Sequence, residues 1–160
     1  MSFNHFDSAG QAIMVDVSLK ESTMRTATAS ARVILTPEIV KNIVAGVNAK
    51  GDVLAVARIA GIAAAKKTAD LIPLSHPLAI HHVSIDFAVD AAAGTIETVA
   101  TVRAFERTGV EMEAMTAAAV TALTIYDMCK GADKGISIGE IKLLLKEGGK
   151  SGTYQRETKL

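Results

Sequence analysis

The chain has 160 residues, 49% hydrophobic and 21% charged, the composition of an ordinary globular protein of one domain. Its 17 basic and 17 acidic residues cancel, so bulk charge provides no attraction to nucleic acid or to an anionic membrane. Cys129 is the single cysteine, which excludes an intrachain disulfide and any zinc site built on two or more thiolates.

The first residues, MSFNHFDSAGQ, have no basic segment followed by an apolar one. The longest uncharged apolar run is about a dozen residues, short of the roughly 18 a membrane span needs. A soluble, cytoplasmic protein is expected. Alanine is abundant and aromatics are only 4%, so each residue buries little area. Such a chain gains by burying more surface through association.

In chain order, RTATASARVIL (25–35) alternates apolar and polar residues and predicts a strand. Thr36, Pro37 and Glu38 then open a short helix that closes at Gly46. Asp52 caps a longer helix over 53–71, which stops before Pro73. Residues 83–107 read as a hairpin turning at DAAAG. Residues 109–131 predict a helix that begins with glutamates and ends at Lys130-Gly131. A last strand, 136–145, shifts its apolar phase around Gly139, where a bulge is expected. From 153 to 160 the polar end reads as a mobile tail. The sum is an α+β chain in the βαββαβ order of a ferredoxin-like sandwich, with an extra short helix.

Both long helices are poor in charge. No charged residue occurs from Ala114 to Tyr126, and Arg58 stands alone in the first part of helix 53–71. A helix on one sheet should present a polar outer face. These helices are expected to be covered on both sides, by further copies of the chain.

The segment DLIPLSHPLAIHH (70–82) holds three of the four histidines and two of the three prolines. A metal reading needs His76, His81 and His82 to converge. His81 and His82 are adjacent in a strand and point to opposite faces, so no metal is assigned. His76 precedes Pro77 and is pushed into extended backbone with a fixed side-chain direction. It is either a satisfied connector or a ligand-facing histidine.

Lys50-Gly51-Asp52 precedes a helix N-terminus, where a lysine is locally unfavourable. An anion cradle and a solvated loop lysine are both compatible with it. Asp127 sits in the last turn of its helix, against the dipole, and can meet Lys130 at i,i+3. The pair is either a surface ion pair or a proton-transfer pair. Glu111 and Glu113 suit a first helical turn and lie about 20 Å or more from Lys130. One subunit could hardly bring both ends to one ligand, whereas antiparallel partners could. Cys129 beside Lys130 reads as a buried structural thiol.

Three long segments carry a resemblance: MVDVSLKESTMRTATA (14–29), KGDVLAVARIAGIAAAKKTADLIPLSHPLAIHHV (50–83) and GVEMEAMTAAAVTALTIYDMCKGADKGISIGEIKLLLKEGGKSG (109–152). They resemble the cyclic pyranopterin monophosphate synthase family of molybdenum cofactor biosynthesis. The resemblance implies a ferredoxin-like fold with residues 1–152 as a single catalytic domain. It implies a lyase that converts 3′,8-cyclo-7,8-dihydroguanosine 5′-triphosphate to cyclic pyranopterin monophosphate and releases pyrophosphate. A hexamer of three dimers, with sites at subunit interfaces, is also implied, with no nucleic acid or membrane partner.

By motif, Lys50, Asp127 and Lys130 are the implied catalytic residues. Leu74, Ser75, His76, Met112, Glu113 and Glu111 match substrate-binding positions, and Arg25, Lys67 and Lys146 match cations for the triphosphate. No cofactor is implied, though Mg²⁺ with the triphosphate is compatible. Ser75 stands where cysteine is equally expected. His81 and His82 receive no role. The rival, from the fold alone, is a non-catalytic module that binds a nucleotide or a partner and regulates.

Overall fold

The computed structural model describes residues 5–47 and 50–157. The elements are β1 (Thr23–Ile34), α1 (Pro37–Val44), α2 (Val53–Ala65), α3 (Thr68–Leu71), β2 (Ile80–Asp90), β3 (Thr95–Glu106), α4 (Glu111–Cys129), β4 (Ser137–Glu147) and β5 (Tyr154–Gln155). The sheet order is β2-β3-β1-β4-β5, with every pair antiparallel. The first four strands have the ferredoxin-like arrangement that the element order predicts. The two long helices lie on one face.

The alternation in β1 sets that face. Ala27, Ala29, Ala31 and Val33 are fully buried, beside Ile96, Ala100, Val102 and Ala104 of β3. Small side chains on β1 and β3 meet Ala114, Ala117, Ala118 and Ala122 of α4, while Ala57, Ala64 and Ala65 of α2, which packs on α4 and β2, are buried as well. The helices approach closely where α2 places Gly61. A Cβ there would collide with the Thr121 hydroxyl and press on the Ala117 carbonyl oxygen at 3.1 Å. Alanine richness is thus the means of close packing between layers, and it leaves each element little area to bury.

The caps follow the sequence signals. Thr36 Oγ1 accepts from the Ile39 amide at 3.3 Å, with Pro37 beginning α1. Asp52 Oδ1 accepts from the Ala55 amide at 2.9 Å and starts α2. The helix read as continuous over 53–71 is two helices. Thr68 Oγ1 donates to the Ala65 carbonyl at 3.0 Å, a local bond that competes with the helical ladder at the join. Lys66 and Lys67 lie in that join and lead to different environments.

The expected irregularity in β4 is present. The register against β1 shifts between Ser30 and Arg32, opposite Gly139 to Lys142, and Glu140 adopts a φ of 52°. The segment read as a tail contributes β5. Tyr154 and Gln155 pair with Lys146 and Leu145, and Arg156 donates from its amide to Leu144 and from Nε to Leu143, both at 2.8 Å. At the other border, Arg58 Nε donates to the Ile85 carbonyl at 3.0 Å, and its guanidinium sits 5.2 Å from the Phe87 ring centroid.

Candidate active site

The sequence-predicted residues gather at the two ends of α4. At the C-terminal end the last carbonyls of the helix lack intrahelical partners and carry partial negative charge. Lys50 comes from the loop before α2 and donates from Nζ to the Asp127 carbonyl oxygen at 2.8 Å. Lys130 Nζ lies 2.5 Å from Asp127 Oδ1. The Lys130 hydrogen bond, then the charges of Lys130 and Lys50, hold the Asp127 carboxyl below its ordinary value. The same bond raises Lys130. Beside them is a cavity of about 400 Å³ lined by Lys50, Asn42, Met128 and the buried Cys129. Burial pushes the Cys129 thiol up, so it is a poor thiolate. Two ammonium groups near one carboxylate, with Lys50 also lining the cavity, can bind an anion and pass protons.

At the N-terminal end, Glu113 is only 3% exposed and its carboxyl is pushed up to about 7 by burial. It shares a smaller cavity, about 120 Å³, with His76, Lys66 and Asp70. Before His76 the chain turns through Pro73 and Leu74, with Ser75 donating its amide to the Ile72 carbonyl at 3.0 Å. His76 follows, its Nε2 2.8 Å from the Val15 carbonyl oxygen. Met112, 39% exposed, borders this end on the outside of α4.

The remaining predicted cations lie nearby in unequal settings. Lys146 Nζ is 3.8 Å from Glu111 Oε1 and donates to Ser151 Oγ. Arg25 is 8% exposed. Its Nε donates to the Glu106 carbonyl at 3.1 Å and its Nη2 to that of Arg107 at 3.3 Å. The guanidinium is pressed against Gly149, where any Cβ would strike it. Arg25 therefore ties the end of β3 to the turn after β4. Lys67 is exposed at the start of α3 and does not line the cavity; Lys66 does. Lys66 ends α2, where a lysine also suits the helix dipole, so its type alone does not single it out. The signal that separates them is the helix break at Thr68.

His81 Nδ1 accepts from the Phe105 amide at 3.3 Å, and His82 pairs in register with Arg103, just past a register shift between Ile80 and His82. Among the described residues, no three of the His, Cys, Asp and Glu side chains converge as a metal set.

The two ends of α4 are separated by roughly 25 Å, from Glu113 to Lys130 at 1.5 Å per residue. Each carries part of the predicted set and neither carries all of it.

Comparison with known proteins gives one result throughout. The MoaC family profile matches residues 14–149. A cyclic pyranopterin monophosphate synthase from Geobacter sulfurreducens is 73% identical over 157 residues, 98% of each chain. One from Geobacter metallireducens is 72% identical over the same length and share. A third, from Chloroflexus aggregans, is 54% identical over 154 residues, 96% of this chain and 93% of that one.

Proposed function

The chain belongs to the MoaC family, and from that premise we infer that it is a cyclic pyranopterin monophosphate synthase, a lyase of molybdenum cofactor biosynthesis. The observation that carries this is identity of 73% to a protein of that name across 98% of both chains. The reaction converts 3′,8-cyclo-7,8-dihydroguanosine 5′-triphosphate to cyclic pyranopterin monophosphate and pyrophosphate. The non-catalytic alternative is not favoured, since the relatives that match nearly the whole chain carry the synthase name.

In this reading Lys50, Asp127 and Lys130 move the protons that ring opening and phosphate closure require. Leu74, Ser75, His76, Met112 and Glu113 hold the base and sugar, with Glu111 beside them. Lys67 and Lys146, with Lys66 of the cavity wall, are the cations for the triphosphate, where they offset the charge that develops on departing pyrophosphate. Arg25 supports them from beneath. This reading calls for no resident cofactor and is compatible with Mg²⁺ arriving with the triphosphate.

The reading extends to a hexamer of three dimers. Two observations support it. The two residue clusters are too far apart to meet within one copy. The exposed surfaces of α2 and α4 also include Val56, Ile59 at 69%, Leu123 at 56% and Met112, beside the single exposed charge of α2, Arg58. An antiparallel partner would cover that face and bring the C-terminal end of one α4 to the N-terminal end of the other. The working location is the cytoplasm; among the described residues no helix is long and apolar enough to cross a membrane.

The test is pyrophosphate release from the purified chain given the cyclised triphosphate, with Lys50→Ala as control. Release that disappears in the variant supports the lyase. Binding without release, from a folded assembly, would return the non-catalytic reading.

A further inference from the structure

The motif MVDVS (14–18) belongs to the resemblance, but the site as built so far gives it no work. The structure places it over His76. The imidazole Nε2 is 2.8 Å from the Val15 carbonyl oxygen. A carbonyl only accepts, so Nε2 carries the proton. A neutral imidazole has one N–H, and Nδ1 is then the unprotonated nitrogen. Among the described residues no hydrogen bond engages Nδ1. The ring lines the cavity that holds Glu113, Lys66 and Asp70.

The segment that supplies the carbonyl is itself held in shape. Asp16 Oδ1 accepts from the Ser18 amide at 2.8 Å, and the Lys20 amide donates to Val17 at 3.0 Å. This is a compact Asx turn immediately after Val15. The Asp16 carboxyl is held low chiefly by Ser18, with the nearby His76 adding to the effect.

We propose that Val15 and Asp16 form a positioning strap for His76: the Val15 carbonyl fixes the Nε2–H tautomer, and the Asp16–Ser18 turn fixes the carbonyl. Nδ1 is thereby the proton-accepting atom offered to the cavity. When a ligand donor transfers its proton to Nδ1, the imidazolium keeps its Nε2–H on Val15. The Asp16 carboxylate then stands near the new positive charge, with Glu113 and Asp70 across the cavity and Lys66 opposing them. The strap rests on geometry alone; only the identity of the donor as the cyclised triphosphate rests on the proposed function.

The test uses the full-length assembled protein with ¹⁵N-labelled histidine. A two-bond ¹H–¹⁵N correlation spectrum reports which ring nitrogen carries the proton, and His76→Gln identifies the His76 signals. The expected pattern is protonated Nε2 with unprotonated Nδ1; a protonated Nδ1 overturns the proposal. Asp16→Ala removes the turn's acceptor, and the His76 signals should shift toward a mixture of tautomers. kcat/KM should fall on the order of tenfold, since misplacing a reacting group is costly. Asp16→Asn keeps an oxygen for the Ser18 amide and should restore the wild-type pattern. An unchanged His76 pattern in Asp16→Ala overturns the strap. The predicted tautomer in a protein that releases no pyrophosphate supports the strap and removes the proposed reaction instead.

Discussion

Lys50 and Asp127 stand 77 positions apart in sequence and meet at the end of α4, where the lysine Nζ donates to the aspartate main-chain carbonyl at 2.8 Å. The bond joins the loop before α2 to the helix terminus whose partial negative charge favours a cation. It also brings the ammonium of Lys50 into the field of the Asp127 carboxylate, which Lys130 already contacts.

Lys50→Ala and Lys130→Ala should each lower kcat by at least about 10², the low end for a lost proton-transfer group. The far-ultraviolet circular dichroism should not change. Single-turnover assays of pyrophosphate release check this, and near-normal rates in both variants would remove the lysine chemistry.

Asp127→Asn should separate chemistry from stability. The Asp127–Lys130 pair is exposed, and exposed pairs contribute little to folding. The melting temperature should stay at the wild-type value while turnover falls. A large drop in Tm with normal turnover would make the pair structural.

Glu113 predicts a pH dependence of stability. Its carboxyl is raised from 4.5 to about 7 by burial in the folded chain. Below about pH 4.5 both states are protonated and the group has no effect. Between there and 7 the unfolded chain loses the proton and the folded chain keeps it, so stability falls as pH rises. Above 7 the full cost applies, about 3 kcal/mol at 1.36 kcal/mol per pH unit. Glu113→Gln removes the titration, so the Tm difference between variant and wild type should widen by roughly 6–12 °C from pH 4.5 to 8. Parallel Tm curves would contradict the burial argument.

The apolar outer helix face predicts an assembly defect. Ile59→Glu or Leu123→Glu places a charge where the structure exposes 69% and 56% of an aliphatic residue. Light scattering should show a smaller species with the secondary structure retained. Pyrophosphate release should fall with it, because each site then lacks one end of a neighbouring α4. Unchanged mass and activity would assign that face to solvent.

Much of this was legible in the sequence because it depends on neighbours along the chain. The alternation in β1, the Thr36-Pro37 cap and the Asp52 cap are local signals, and each names its element correctly. The break between α2 and α3 was missed because helical periodicity continues through it, while the deciding event is one hydroxyl, Thr68, bonding back to Ala65. That break separates Lys66 from Lys67, so motif position alone could not choose between them. Arg25 is a different case. Its partners, the carbonyls of Glu106 and Arg107, are more than 80 positions away, and its neighbour Gly149 is farther still. The motif marks the arginine, while its setting depends on those distant segments. The strap over His76 depends on a main-chain carbonyl, which no side-chain motif encodes.

The two arginines at the borders of the sheet have a consequence for the life of the protein in a crowded cell. Arg58 occupies the Ile85 carbonyl on the β2 side, and Arg156 lies on Leu143 and Leu144 at the β5 side. An open row of amides and carbonyls is a template for a foreign strand. Here the Ile85 carbonyl on one border and those of Leu143 and Leu144 on the other are already taken, and an intruding chain would have to displace the arginines at those points. The contacts proposed between copies fall on the helices, away from these strand borders.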